Sequence, residues 1–223
     1  MEKIIHQLWV GKYLIPERDY NFTKGIKADN PSFEYKFWDN YNLPPLPHKI
    51  EQLRQLYTKH EKWVELADML RYYFIYEYGG LYVDCDYQSV QSFEGLGLDN
   101  YQGFIPLVFN PGDITICNSM FAFKKGHPIM EYVCDKMYND CNIMWLGPNF
   151  FGEQIKNYLG LSAGERDEVV KERLENLNIK VIDRNTERPK FGIHHYSYTW
   201  SDENKQKMEI DPQFARKPYA WHR

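Results

Sequence analysis

Apolar residues recur along this chain with two different periods. "KIIHQLWVG" gathers β-formers and stops on Gly11, which predicts a first strand. "FEYKFWDN" predicts a second, ended by Asp39 and Asn40, and "NLPPLP" then breaks the chain. Between His48 and Lys59 the apolar positions Ile50, Leu53, Leu56 and Tyr57 follow helical spacing. A second helix is predicted from Trp63 to Tyr78, on the stripe Trp63, Leu66, Ala67, Leu70 and Phe74. Gly79 and Gly80 stop it, as a left-handed cap does. "LYVDCD" follows as a strand, and "GFIPLVF" and "TICNSMFAF" predict two more. "HPIMEYVCDKMY", "NFFGEQIKNYL" and the charged "GERDEVVKERLENL" predict helices, while "IKVID" and "FGIHHYSY" predict late strands.

Strands and helices alternate through the first half, so the expected fold is α/β with a largely parallel central sheet flanked by helices. No internal repeat, low-complexity run or linker interrupts the chain, and residues 1–223 are expected to form a single domain. The charged helix around Asp167 to Glu175 is expected in a peripheral helical insertion.

Charge narrows the function. With 27 basic and 31 acidic residues the formal net charge is −4, and no basic stripe carries interleaved aromatics, so polymeric nucleic acid is a poor partner. No apolar run approaches the ~20 residues of a membrane span. The opening "MEKIIHQLWVG" is too short and polar for a signal peptide. Cys85, Cys117, Cys134 and Cys141 show no CxxC spacing, which favours reduced thiols over a zinc site. A cytoplasmic protein, peripheral on a membrane at most, is the expectation.

One stretch departs from the pattern. "LYVDCDYQ" (Leu81 to Gln88) sets Asp84 and Asp86 inside a run that otherwise favours burial. On a strand those two carboxylates share one side, with Val83 and Cys85 turned the other way. Neighbouring carboxylates repel unless a cation joins them, and hard divalent cations take carboxylate and phosphate oxygens. The pair therefore reads as half of a metal site, against the plainer alternative of two acids capping a turn. On the preceding helix Asp68 and Arg71 stand at i and i+3, opposite the Leu66, Leu70 and Phe74 stripe. They are either a surface ion pair or a carboxylate and guanidinium turned toward a polar ligand.

Three blocks, "KIIHQLWVG", "ADMLRYYFIYEYGGLYVDCD" and "CNSMFAFKKGHP", resemble glycosyltransferase family 32. This family of DXD sugar transferases includes yeast initiating α-mannosyltransferases and bacterial capsule enzymes, with clostridial glucosylating toxins as distant relatives. The match is dense over Leu66 to Asp86 and thins after Pro128. The resemblance implies a GT-A fold and a metal-dependent, retaining transfer of a hexose from a nucleotide-diphosphate sugar, UDP favoured over GDP. The implied acceptor is a glycan or lipid-linked sugar.

It also implies roles for residues. Asp86 binds Mn²⁺ (or Mg²⁺), and Asp84 reaches donor ribose and sugar or the metal. Asp68 and Arg71 hold the hexose, and Trp9 stacks on the base. His195, with His194 as the alternate, completes the metal shell, and Trp200 lies nearby. Asn118 is expected on a strand near the acceptor, and Glu153 is a weaker acceptor contact. Each has a plainer reading: a core tryptophan, ordinary histidines, a buried asparagine, a helix-start acid.

Competing functions fit less well. A haloacid-dehalogenase phosphatase also uses paired aspartates, but Gln88 stands where its motif needs Thr or Val, and the motif follows two helices. A metal-dependent carbohydrate-binding protein would suit the aromatics, yet lectins are mostly all-β. A catalytically degenerate transferase-fold protein is the third alternative.

Overall fold

The computed structural model describes residues 1–110, 113–137, 144–162 and 164–196. In chain order the elements are β1 (Ile4–Trp9), α1 (Glu17–Asp29), β2 (Glu34–Asp39), α2 (His48–Lys59), α3 (Trp63–Tyr78), β3 (Gly80–Val83) and β4 (Tyr87–Ser89). Then follow β5 (Gly103–Asn110), β6 (Asp113–Ile116), β7 (Met120–Phe123), α4 (Pro128–Lys136), α5 (Pro148–Tyr158), α6 (Asp167–Asn176), β8 (Ile179–Asp183) and β9 (Gly192–His194).

The main sheet runs β2-β1-β3-β7-β5-β6, with β8 on β5. It is parallel across β2, β1 and β3, and β8 is parallel to β5. β7 runs antiparallel to both β3 and β5, so the far half is mixed. A separate pair, β4 and β9, sits beyond the end of β3. One large apolar cluster joins α2, α3, α4 and α5 to one face of the sheet. A second, built on Ile5, Leu81, Val83, Phe104, Met120 and Ala122, fills the other face.

Local sequence explains most boundaries. Pro128 and Pro148 sit in the first turns of α4 and α5, where the missing N–H costs nothing. Gly80, at φ +98°, lets the chain leave α3 and enter β3; a Cβ there would lie 2.5 Å from the Ile4 carbonyl oxygen.

Four elements differ from the sequence expectation. α1 has no predicted counterpart, because its buried positions are Asp19, Thr23 and Ile26, and two of these are polar. "TICNSMFAF" is not one strand; it breaks at Cys117–Ser119 between β6 and β7. β3 ends at Val83, so Asp84 to Asp86 form a turn rather than a strand tip. α6 packs Val170 and Leu174 into the main core beside β8, and so belongs to the helical layer.

A buried histidine locks the turn that launches β3. His6 is fully buried on β1. Trp38 Nε1, which can only donate, is 3.1 Å from His6 Nδ1. The proton therefore sits on Nε2 and is donated to the Gly79 carbonyl at 2.9 Å. A second proton would have to enter against the Trp38 N–H. Burial, partly offset by the Gly79 hydrogen bond, lowers the His6 pKa from 6.5 to about 4.

The consequence has a definite sign. Above pH 6.5 His6 is neutral in both folded and unfolded chains. As pH falls from 6.5 toward 4, the unfolded chain takes a proton that the folded one refuses, and stability is lost. At about 1.4 kcal/mol per unit the His6 contribution reaches ~3 kcal/mol. We expect unfolding free energy to fall across that window, with the His6 ring signals in NMR unmoved until about pH 4. A His6 ring that titrates near its ordinary value rules this account out.

Candidate functional site

Asp84 is fixed by its backbone before its side chain is considered. Its N–H donates to the Ser119 carbonyl at 2.8 Å, and its carbonyl accepts from Gln7 Nε2 at 3.1 Å. Tyr35 holds Gln7 in turn, donating to its Oε1 at 2.7 Å. Cys85 is buried and donates to the Leu8 carbonyl at 3.4 Å. The buried thiol pulls the turn inward, which leaves the carboxylates on either side of it facing outward together. The expectation that the two acids share a side is thus met by a turn, not by strand alternation.

Asp86 meets β9. The His195 N–H donates to the Asp86 carbonyl at 3.0 Å, and β9 pairs Tyr87 with His194. That register places His194 Nε2 3.1 Å from Asp86 Oδ1. One ligand atom from each of Asp84, Asp86 and His194 lies within 4.8 Å of the others. The choice of His195 over His194 is therefore corrected. His195 points away, with its Nε2 3.0 Å from Gln88 Oε1 and its ring stacked on Phe22 at 4.6 Å. Neighbours along a short strand face opposite ways, and pairing with Tyr87 decides which one faces Asp86.

The His194 ring is held on both faces. Tyr87 stacks on it at 4.7 Å and Tyr196 packs at 4.1 Å. The Tyr87 hydroxyl accepts from Arg188 Nη1 at 2.9 Å, and the Tyr196 hydroxyl accepts from Arg184 Nη2 at 2.7 Å. Among the described residues neither arginine has a carboxylate partner. Burial raises the Tyr196 pKa, but hydrogen bonds from Arg188 and Arg184 outweigh it and leave the phenol below its ordinary value.

α3 supplies the third side. Almost the whole stretch from Glu65 to Ile75 is buried, so Asp68 and Arg71 do not lie on a solvent face. Arg71 Nη2 is 3.1 Å from Asp68 Oδ1, and Nη1 is 3.0 Å from both Asp84 Oδ1 and the Asn118 carbonyl oxygen. The surface ion pair considered from the sequence is thus a buried bridge between helix and turn. Asn118 Nδ2 donates to Asp68 Oδ1 at 2.9 Å and to the Tyr72 hydroxyl at 2.8 Å. Asn118 was expected on a strand; it stands instead in the break between β6 and β7, where its side chain is free to turn toward α3.

Acids outnumber cations here. Burial raises the Asp68 pKa to about 7, opposed by Arg71 and reinforced by Asp84. Burial also raises Asp84, again opposed by Arg71 and reinforced by Asp86. Burial works against the Arg71 charge, but Asp84, Tyr82 and Asp68 more than offset it and hold the guanidinium charged. Arg71 bridges Asp68 and Asp84 while Asp86 sits beside His194, and a divalent ion would offset the negative charge these acids bring together.

These groups line one cavity of about 620 Å³. It opens at the carboxyl ends of β1 and β3, where open α/β sheets place their ligands. Trp9 lines it, half-buried, with Nε1 donating to the Tyr13 carbonyl at 2.8 Å. Arg184, Tyr196, Trp63, Glu65 and Trp145 line it too, though none was singled out as a site residue from the sequence. Arg184 directly follows β8, a position the strand-end rule could have flagged. Glu153 is exposed on α5 and is not part of the lining. Trp200 lies outside the described residues.

The fold is of the GT-A type, and it carries a DXD turn closed by a histidine. Residues 16–102 match the family described as glycosyltransferase sugar-binding region containing DXD motif. That match contains the dense middle block of the sequence resemblance, Leu66 to Asp86, while the blocks at 3–11 and 117–128 lie outside it. An uncharacterized glycosyltransferase of Acanthamoeba polyphaga mimivirus is 27% identical over 166 residues, 70% of this chain and 64% of that protein. Inositol phosphoceramide mannosyltransferase 3 of Schizosaccharomyces pombe is 29% identical over 136 residues, 59% of this chain and 35% of that protein. The chain thus spans between about a third and two thirds of the length of these curated relatives. Among solved structures, the PaToxG glycosyltransferase superposes with a TM-score of 0.57 at 15% identity, over 79% of this chain and 85% of that one. The UDP-bound glycosyltransferase domain of the YGT toxin gives 0.50 at 10% identity, over 92% and 81%.

Proposed function

We propose that this chain is a metal-dependent, retaining hexosyltransferase, with residues 1–223 acting as one domain. The observation that carries this reading is the convergence of Asp84, Asp86 and His194 beside Arg71 and Asp68 on one cavity. Two carboxylates and one imidazole suit Mn²⁺ or Mg²⁺ and leave positions for phosphate oxygens. Asp86, Asp84 and His194 would hold the ion. Bound there, it supplies positive charge for the departing diphosphate without any proton transfer.

The remaining work falls to side chains. Breaking the bond from the anomeric carbon to a diphosphate leaves negative charge on the leaving group and a cationic sugar. Asp68 accepts hydrogen bonds from hexose hydroxyls, and Asn118 fixes its orientation. Arg71 presents a rigid fork to the hexose and balances Asp68 and Asp84. Arg184, which has no carboxylate partner among the described residues, faces the phosphate side from the end of β8. Trp9 offers a ring for the base.

The donor in this reading is a UDP-sugar, with a GDP-sugar as the alternative, and the product is α-linked. The fission-yeast relative is named for mannose transfer to inositol phosphoceramide, which supports a lipid-linked or glycan hydroxyl as acceptor. No described helix is long and apolar enough to cross a membrane. A cytoplasmic, peripheral location is a separate part of the proposal.

A thermal-shift panel of UDP-, GDP- and dTDP-sugars, with and without Mn²⁺, tests it directly. One sugar nucleotide should raise the melting temperature only when the metal is present. If none does so, the proposal fails.

A further inference from the structure

Glu65 is a buried acid that the donor chemistry leaves unused. It lies in the first turn of α3, 8% exposed, and lines the same cavity as the DXD turn. Among the described residues it has no hydrogen-bond or ion-pair partner. A helix N-terminus favours an acid there, and the carboxylate borders the cavity rather than a protein donor. Its charged neighbour on the helix is Asp68, one turn on, which repels it. A carboxylate placed this way is available to accept hydrogen bonds from a ligand in the cavity.

Two tryptophans line the same cavity as this acid. Trp63 is two residues earlier and packs on Gly11, with its Cγ 3.4 Å from where a Cβ would stand. Trp145 is 57% exposed yet lines the cavity. Its ring lies over Gly147, where a Cβ would come within 2.9 Å of Nε1. Real side chains essentially never approach so closely, so any larger residue at Gly147 displaces the ring. Both indoles lie close to a glycine while forming part of the cavity wall. Indole faces and a carboxylate on the wall of one cavity are the chemistry that recognises a neutral polyhydroxylated ring. The C–H face of the ring packs on indole, and adjacent hydroxyls donate to the carboxylate.

We propose that Glu65, Trp63 and Trp145 form the seat for the acceptor, and that the acceptor presents a hexose or inositol ring there. This assignment rests on the transferase reading, because it takes the DXD side of the cavity as the donor's. It makes Glu65 a residue that selects the acceptor, distinct from Asp68 and Arg71 on the same helix.

The test is direct binding of polyols to the full chain, without nucleotide. Saturation-transfer NMR is run with methyl α-D-mannopyranoside, methyl β-D-galactopyranoside and myo-inositol. At least one should bind the native protein. Glu65→Gln and Trp145→Ala should each weaken that binding by about tenfold or more, the scale of one charge-assisted hydrogen bond. Glu65→Asp should recover part of the loss, and circular dichroism of each variant verifies its fold. Native protein that binds none of the three probes overturns the seat, as does unchanged binding in folded Glu65→Gln. The sugar-nucleotide thermal shift is read separately, so failure of the seat and failure of the transferase reading are distinguishable.

Discussion

Asp86→Asn is expected to lower metal-dependent transfer about a thousandfold while leaving the fold intact. The magnitude follows from the several kcal/mol that a cation contributes to a leaving diphosphate, at tenfold in rate per ~1.4 kcal/mol. Asp86 suits this test because its carboxylate faces His194 and the cavity rather than the core. An amide keeps the shape and removes the charge that would neutralise the ion. The sugar-nucleotide thermal shift should disappear with the activity, while the melting temperature without ligand changes little. Asp84 is less clean, since Arg71 and Tyr82 both donate to its Oδ1, at 3.0 and 2.8 Å. Asp86→Asn protein that turns over at the native rate would take Asp86 out of the chemistry and leave the turn as a structural feature.

Arg71→Ala is expected to destabilise the protein by about 3–5 kcal/mol, the usual cost of breaking a buried ion pair from one side. Asp68 and Asp84 would lose their shared cation, and the Asn118 carbonyl would lose a donor. Against a total stability of roughly 5–15 kcal/mol, that is a large part of what holds the domain folded. Arg71→Lys keeps charge but loses the two-pronged geometry, so it should recover part of the stability and little of the transfer. Arg54 is a useful contrast. Its pair with Glu51 is also at i and i+3, but a third of each side chain is exposed. Arg54→Ala should cost no more than ~0.5 kcal/mol. Urea unfolding of the three variants decides the matter. If Arg71→Ala costs as little as Arg54→Ala, the guanidinium is not the cation that holds the acid cluster together.

The contrast between those arginines shows the limit of spacing as evidence. Both pairs look alike in the sequence, and burial separates them. α3 was legible as a helix from its apolar period and glycine stop, but that period suggested one polar face. The helix is instead packed nearly all round, and its Asp68 and Arg71 find partners in Asn118 and Asp84 from elsewhere in the chain. α1 left no apolar trace because its buried face includes Asp19 and Thr23. Trp63 was legible only as part of the apolar stripe of α3, and Glu65 and Trp145 were not singled out from the sequence at all.

The chain's own order of residues determined the alternation of helices and strands, the stop at Gly79 and Gly80, and the density of acids after β3. These depend on periodicity, backbone freedom and repulsion between neighbours, all of which act within a few residues. Tertiary structure alone decided that a turn and not a strand presents Asp84 and Asp86, that His194 and not His195 meets them, and that Arg184, Glu65 and Trp145 share their cavity. Each of those outcomes depends on pairing or packing between segments far apart in the chain. Side-chain direction there is set by the partner strand and by what is already buried, which no local pattern records.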